Sequence, residues 1–157
     1  MPRPPKVVLV MRHAEKPADP HDPDLSPAGH DRAETLARYI PDTFGVPDFI
    51  FAAEISRHSA RPYETVKPLS KRTGIPIDAT IADQDYEVLA SDLLSGAYAD
   101  RHGVVCWHHG HIPALMKALG AKTGDYPDPW DPGVFDLILK VGFSTRPPTV
   151  AKMTEPF

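Results

Sequence analysis

Two short clusters in this chain combine residue types that handle anions and protons. The first is Arg12-His13-Ala14-Glu15-Lys16, directly after the apolar run Val7-Val8-Leu9-Val10-Met11. The second is His108-His109-Gly110-His111, directly after Val104-Val105-Cys106-Trp107 and followed by Ile112-Pro113. A guanidinium beside an imidazole suits an anionic substrate together with a nucleophile or an acid–base group. Gly110 lets the backbone turn sharply and come close to a ligand. The helix-like stretch 114–119, stopped by Gly120, places a helix N-terminus nearby, with free N–H groups and a dipole end suited to phosphate. Either cluster alone reads as an ordinary solvated strand end. Two of them, each at a strand-to-helix edge, predict a shared pocket.

The elements that must position them follow from the apolar pattern. A continuous β-branched run reads as a strand buried in a parallel sheet, and in open α/β sheets ligands bind outside the carboxyl ends of the strands. The chain reads as strand 6–11, helix 27–40, strand 49–53, helix 62–73, strand 76–81, helix 86–95, strand 103–107, helix 113–119 and strand 134–141, with a weak last strand at 149–153 on the sheet edge. Ser26 is suited to an N-cap with Pro27 at the first helical position. Ala33, Leu36 and Ile40 give that helix its apolar face, and Pro41 is expected to stop it. Gly74 closes the next helix, and Pro68 implies a kink or an early end within it. Alternating strands and helices without internal repeats predict one α/β domain over residues 1–157. Its central sheet is expected to be mostly parallel, with helices on both faces.

Composition bounds the alternatives. At 157 residues the chain is long enough to bury roughly two-thirds of its unfolded surface. Hydrophobic content of 41% and charged content of 24% are ordinary for a globular protein. A formal charge of −4 with scattered Lys and Arg gives no reason to expect nucleic-acid or membrane partners. The 19 prolines cluster at 17–27, 41–47, 127–132 and 147–148 and read as rigid connectors. Cys106, the one cysteine, excludes an intrachain disulfide and suits a reducing compartment. Residues 2–6 are polar and the apolar run after them is five residues long, so no signal peptide is legible, and no stretch approaches the roughly 20 apolar residues of a membrane span. A cytoplasmic location is expected.

Four ordered stretches resemble the histidine phosphatase superfamily, also called phosphoglycerate-mutase-like. Arg12-His13-Ala14-Glu15 stands where that family has Arg-His-Gly followed by Glu, with alanine in the third place and Lys16 where Thr or Ser is common. Leu25-Ser26-Pro27-Ala28-Gly29 matches a Leu-Thr/Ser-x-x-Gly helix start. Arg61-Pro62-Tyr63-Glu64-Thr65 matches an Arg-Ala-x-Gln-Thr-like stretch, and His109-Gly110 matches a strand ending in His-Gly. Together they span residues 7–119. The resemblance implies the fold of a short single-domain branch and a metal-independent phosphohydrolase without a cofactor, acting through a phosphohistidine. Its partner would be a phosphorylated small molecule or a phosphoprotein, as a phosphomonoester or a protein phosphohistidine.

Carried onto this chain, the resemblance makes His13 the nucleophile, Arg12 and Arg61 the phosphate-binding cations, and His109 a fourth phosphate ligand. Two arginines can make bidentate, charge-assisted bonds to phosphate oxygens, and their field favours an unprotonated His13. Arg57 is the rival to Arg61. Adjacent strand residues face opposite sides, so His108 is expected behind the pocket if His109 enters it, with His111 at the rim. Three carboxylates, Asp83, Asp85 and Glu87, offer a general acid; Asp85 is equally explained as an N-cap. Two other function classes remain. His109-Gly110-His111 could ligate zinc in a metal hydrolase. Ala14 and the missing acid motif fit a non-catalytic phosphate- or phosphoprotein-binding module with a degenerate site. A mutase is disfavoured because enclosing and reorienting a bisphosphate usually needs a lid.

Overall fold

The computed structural model describes residues 2–157. Six strands, β1 (Val7–Arg12), β2 (Phe49–Ala52), β3 (Ile77–Asp78), β4 (His102–Trp107), β5 (Leu137–Gly142) and β6 (Thr149–Thr154), form one sheet in the order β3-β2-β4-β1-β5-β6. Four helices connect them: α1 (Pro27–Phe44), α2 (Arg61–Thr73), α3 (Tyr86–Leu93) and α4 (Ile112–Ala118). Strands β3, β2, β4 and β1 pair in parallel, and β5 and β6 add an antiparallel edge. The fold is the mostly parallel α/β sheet that the alternating pattern predicts.

Period-two alternation of side chains divides the core into two layers. Val8, Val10, Phe51, Val105 and Trp107 pack on one face with Leu89 and Leu93 of α3 and Leu115 and Met116 of α4. Leu9, Met11, Ile50, Val104 and Cys106 pack on the other with Leu36 and Ile40 of α1 and Val66 and Leu69 of α2. Helices therefore cover both faces. No helix among the described residues is long and apolar enough to cross a membrane.

Pro41 behaves differently from the sequence expectation, and of the two outcomes expected at Pro68 the early end is not seen. Helix α1 continues through Pro41 to Phe44, and α2 runs through Pro68 without ending. An interior proline costs about 3 kcal/mol, an amount comparable to full burial of one or two large apolar side chains at about 1.5–3 kcal/mol each. Around Pro41, Ile40 is fully buried and Phe44 packs edge-on against Tyr39 at 5.9 Å. Around Pro68, Val66 and Leu69 are buried. Gly74 does close α2, in the left-handed conformation at φ 77°. The strand expected at 76–81 is reduced to Ile77–Asp78, and a short 3-10 turn at Asp83–Asp85 leads into α3.

What matters for function is register. Arg12 lies beside Trp107 and Ala52 beside Cys106, so β1, β2 and β4 end at one edge. The His13 N–H extends the ladder by donating to the Trp107 carbonyl at 3.2 Å. Both histidine clusters emerge there together.

Candidate active site

A cavity of about 530 Å³ opens at this edge, lined by Arg12, His13, Arg61, Asp83, His108 and His109 among others. His13 is buried at 2% exposure. Its Nδ1 lies 2.6 Å from the Ala14 carbonyl oxygen. A carbonyl only accepts, so Nδ1 carries the hydrogen and Nε2 keeps its lone pair. Burial above all pushes the His13 pKa down to about 3, with Arg12, His108 and Arg61 adding to it against the Ala14 carbonyl. The arginine field that the sequence reading invoked is thus secondary to desolvation. The ring is neutral at physiological pH in the tautomer a nucleophile needs.

Arg12 is buried, with Nη1 donating to the Pro132 carbonyl at 2.6 Å and the guanidinium lying 3.9 Å over the Phe135 ring. Burial and the neighbouring Arg61 push its pKa down to about 10, so it stays charged near neutrality. Arg61, the first residue of α2, donates from Nη1 to the Asp22 carbonyl at 2.7 Å. Arg57 is exposed, outside the cavity lining, and its side chain reaches His58. The structure therefore brings Arg12, His13 and Arg61 together and leaves Arg57 out.

Among the described residues, the buried side-chain polar atoms without a hydrogen-bond partner are Arg12 Nε and Nη2, Arg61 Nε and Asp83 Oδ1. All four belong to residues lining this one cavity. An unpaired buried polar group costs about 1–3 kcal/mol, and more when charged. Three unpaired cationic donors beside a neutral imidazole are an arrangement that can accept a tetrahedral oxyanion.

The histidines of the second cluster fall out differently from the sequence expectation. Continuing the β1–β4 register past Arg12 and Trp107 sets His13 beside His108, on the same face of the pleat. Their rings meet edge to face with centroids 5.3 Å apart. So His108 enters the pocket next to His13, correcting its expected place behind it. His109 also lines the pocket but stands toward a second cavity of about 420 Å³, which it shares with Gly110, Lys117, Tyr126 and Trp130. Burial lowers the pKa of both His108 and His109. The signal that selects His108 is the register of two strands far apart in sequence.

Of the three carboxylates, Asp83 alone lines the cavity. Asp85 and Glu87 are exposed. Asp85 occupies the N-cap position of α3 but makes no side-chain capping bond, so its expected alternative role is not realised either. Asp83 Oδ2 accepts from His111 Nδ1 at 2.7 Å. Among the described residues no three His, Cys, Asp or Glu side chains converge as metal ligands, and His111 is turned to Asp83.

Two motif residues hold this arrangement from behind. Thr65 Oγ1 accepts from the Ala14 N–H at 2.9 Å and donates to the Arg61 carbonyl at 2.8 Å, tying β1 to the start of α2. Glu64 Oε1 accepts the Leu25 N–H at 2.8 Å. Ala14 is fully buried and is not among the residues at positive φ, of which Asp100 is the one non-glycine case among the described residues. Alanine therefore stands at this position without backbone strain.

No protein-family model and no curated protein sequence matches the chain. Solved structures do. A SixA protein from Agrobacterium tumefaciens, assigned as a phosphohistidine phosphatase, superposes with a TM-score of 0.64 at 18% identity, covering 96% of this chain and 98% of that one. The protein histidine phosphatase SixA in complex with tungstate gives 0.65 at 15% identity, over 94% of this chain and 96% of that one. The fold is that of the histidine phosphatases. A mycobacterial glucosyl-3-phosphoglycerate phosphatase with inorganic phosphate gives 0.60 at 14% identity, over 97% of each chain. The histidine-phosphatase fold thus accounts for nearly the whole chain, without a large insertion in either direction.

Proposed function

We propose that this protein is a metal-independent phosphohydrolase that works through a phosphohistidine on His13. The observation that carries this reading is the convergence of unpaired Arg12 and Arg61 donors with the free Nε2 of a neutral His13. In the first step the phosphoryl group of a phosphomonoester sits between the guanidiniums. The Nε2 lone pair attacks phosphorus, an N–P bond forms, and the P–O bond to the leaving group breaks. Asp83 gives that leaving oxygen its proton. In the second step Asp83, now a carboxylate, takes a proton from water as the water attacks phosphorus. Inorganic phosphate departs and His13 is restored. Arg12, Arg61 and a donating ring N–H of His108 bind the equatorial oxygens, where donors aimed at developing charge stabilise the transition state. His108 takes the role first given to His109, which belongs at the rim toward the leaving group.

Asp83 in the cavity favours a phosphomonoester over a protein phosphohistidine, because an alkoxide leaves poorly without a proton whereas a protonated imidazole leaves readily. The two cavities that meet at His109 and Gly110 give a leaving group room beyond the phosphoryl site.

The test is acid-quench trapping with ³²P-labelled substrate. Wild type is expected to carry an acid-labile, base-stable adduct, and His13→Ala is expected to lose both the adduct and turnover while keeping its thermal transition. Turnover should survive excess chelator. Full activity in His13→Ala, or chelator-sensitive turnover restored by zinc, would overturn the mechanism. Phosphate binding without turnover of any ester would point to a binding module.

A further inference from the structure

We propose that His111 is a positioning residue that fixes which oxygen of Asp83 exchanges a proton with the leaving group, and thereby equips the site for esters with poor leaving groups. The inference rests on the phosphohydrolase reading above and extends it to a residue that lines the same cavity and bonds Asp83.

A carboxylate has two oxygens, and a proton can ride on either. Here one is taken. Oδ2 of Asp83 lies 2.7 Å from His111 Nδ1, while Oδ1 is buried without a partner. An ionised carboxylate only accepts, so His111 Nδ1 carries the hydrogen of this bond. When Asp83 is a carboxylic acid the same Nδ1–H still donates to Oδ2, now the carbonyl oxygen, and the acidic proton is confined to Oδ1. The bond therefore survives both halves of the cycle without a ring flip. It tightens when the carboxylate forms, since a charge-assisted bond is roughly twice as strong as a neutral one.

The surroundings of Asp83 bear the marks of a fixed geometry. Its main-chain carbonyl accepts the Trp107 indole N–H at 2.9 Å, so strand β4 anchors the backbone. His111, at the N-terminal boundary of α4, stacks on Tyr86 of α3 with centroids 5.4 Å apart and planes 25° apart. Its own N–H donates to the His108 carbonyl at 3.2 Å, tying the turn back to the histidine beside His13. Three elements thus converge on one carboxylate from which only Oδ1 is spare. A residue that served packing alone would not need a donor at Nδ1.

Two substitutions separate donor from ring. His111→Phe keeps an aromatic ring for Tyr86 and removes the donor. His111→Asn supplies an N–H at the position of Nδ1. The measurement is kcat/KM on two phenyl-sized esters that differ in leaving group, benzyl phosphate (poor) and 4-nitrophenyl phosphate (good), together with Kd for inorganic phosphate. Expected for His111→Phe is a loss of about tenfold or more on benzyl phosphate, a change within about threefold on 4-nitrophenyl phosphate, and phosphate affinity within about twofold of wild type. His111→Asn is expected to recover most of the loss. Asp83→Asn should show the same leaving-group dependence, and adding His111→Phe to it should cost nothing further, since residues acting as a unit are non-additive.

Equal losses on both esters, additive losses in the double variant, failure of asparagine to rescue, or weakened phosphate binding would each overturn the role of His111. If wild type turns over neither ester and forms no phosphohistidine, the reading of the site falls and His111's role falls with it. If the adduct forms but the leaving-group dependence is absent, only the role of His111 is lost.

Discussion

Acidifying the protein from pH 7 to pH 5 should leave His13 neutral. With a pKa pushed down to about 3 by burial, the ring is only about 1% protonated at pH 5, whereas an imidazole at the ordinary value near 6.5 would be about 97% protonated. Long-range ¹H–¹⁵N NMR of the ring nitrogens reads this directly. His13 signals, identified by their loss in His13→Asn, should show protonated Nδ1 and unprotonated Nε2 at both pH values. The same displacement appears in stability. Between about pH 3 and pH 6.5 the unfolded chain binds a proton at His13 that the folded chain refuses. The stability contribution of His13 is thus fully present above 6.5 and is lost as pH falls toward 3, by up to about 1.4 kcal/mol per pH unit. Glu155, buried and pushed up to about 7, works the opposite way. Its contribution is present below its unfolded value near 4.5 and is lost as pH rises through 7. The windows overlap, so the comparison needs a reference that isolates His13. His13→Asn keeps a donor for the Ala14 carbonyl and does not titrate. The urea-derived stability of wild type minus that of His13→Asn should decline at the stated slope below pH 6.5. A His13 ring that titrates near 6.5, or a flat difference, would refute the burial argument.

Two further predictions concern the cations and the helix start. Arg12→Ala and Arg61→Ala should each weaken phosphate or vanadate binding by about 1.5–3 kcal/mol in calorimetric titration, while Arg57→Ala changes it little; a sensitive Arg57 would mean that α2 is placed in the wrong register. At Gly29, a Cβ would overlap the Glu15 carbonyl, which also accepts the Ser26 N–H at 3.0 Å. Gly29→Ala should therefore lower the thermal midpoint by several degrees and weaken phosphate binding in parallel, and an unchanged midpoint would contradict the close packing of α1 on the segment after His13.

Where the sequence proved legible, the signal was local. Strands β1 and β4 are apolar on both faces and read as buried runs, and α2 closes at Gly74 for the reason its backbone shows. Arg12 ends β1 and His13 follows it directly, so their place at the sheet edge follows from the strand itself. The misses are tertiary. Pro41 reads as a stop because nothing near it in sequence reveals the burial of Ile40 or the packing of Phe44 on Tyr39. His109 was preferred to His108 because Gly110 follows it, as in the His-Gly motif, and the pleat gives alternation but not phase. Phase comes from pairing Arg12 in register with Trp107, 95 positions further along the chain. Asp83 was one of three equal carboxylates, and what sets it apart, a place in the cavity lining and bonds to Trp107 and His111, 24 and 28 residues away in sequence, is tertiary.

The prolines carry the least legible part of the site. Composition alone made the segments 17–27 and 127–132 rigid connectors, and rigidity has a use here. Arg61 donates to the Asp22 carbonyl, flanked by the segment's prolines, and the Pro23 carbonyl accepts the Ala60 N–H at 2.9 Å, one residue before Arg61. Arg12 donates to the carbonyl of Pro132. Each arginine thus spends Nη1 on loop carbonyls, while Arg12 Nε and Nη2 and Arg61 Nε stay buried without a partner. A flexible loop would fold onto those donors and satisfy them. A loop whose φ angles are restricted by proline loses less entropy on ordering and holds its carbonyl at one nitrogen only. Loop carbonyls on either side of the pocket thus engage Nη1 of each arginine, and the phosphate-binding test of Arg12→Ala and Arg61→Ala asks whether the donors left over serve a ligand.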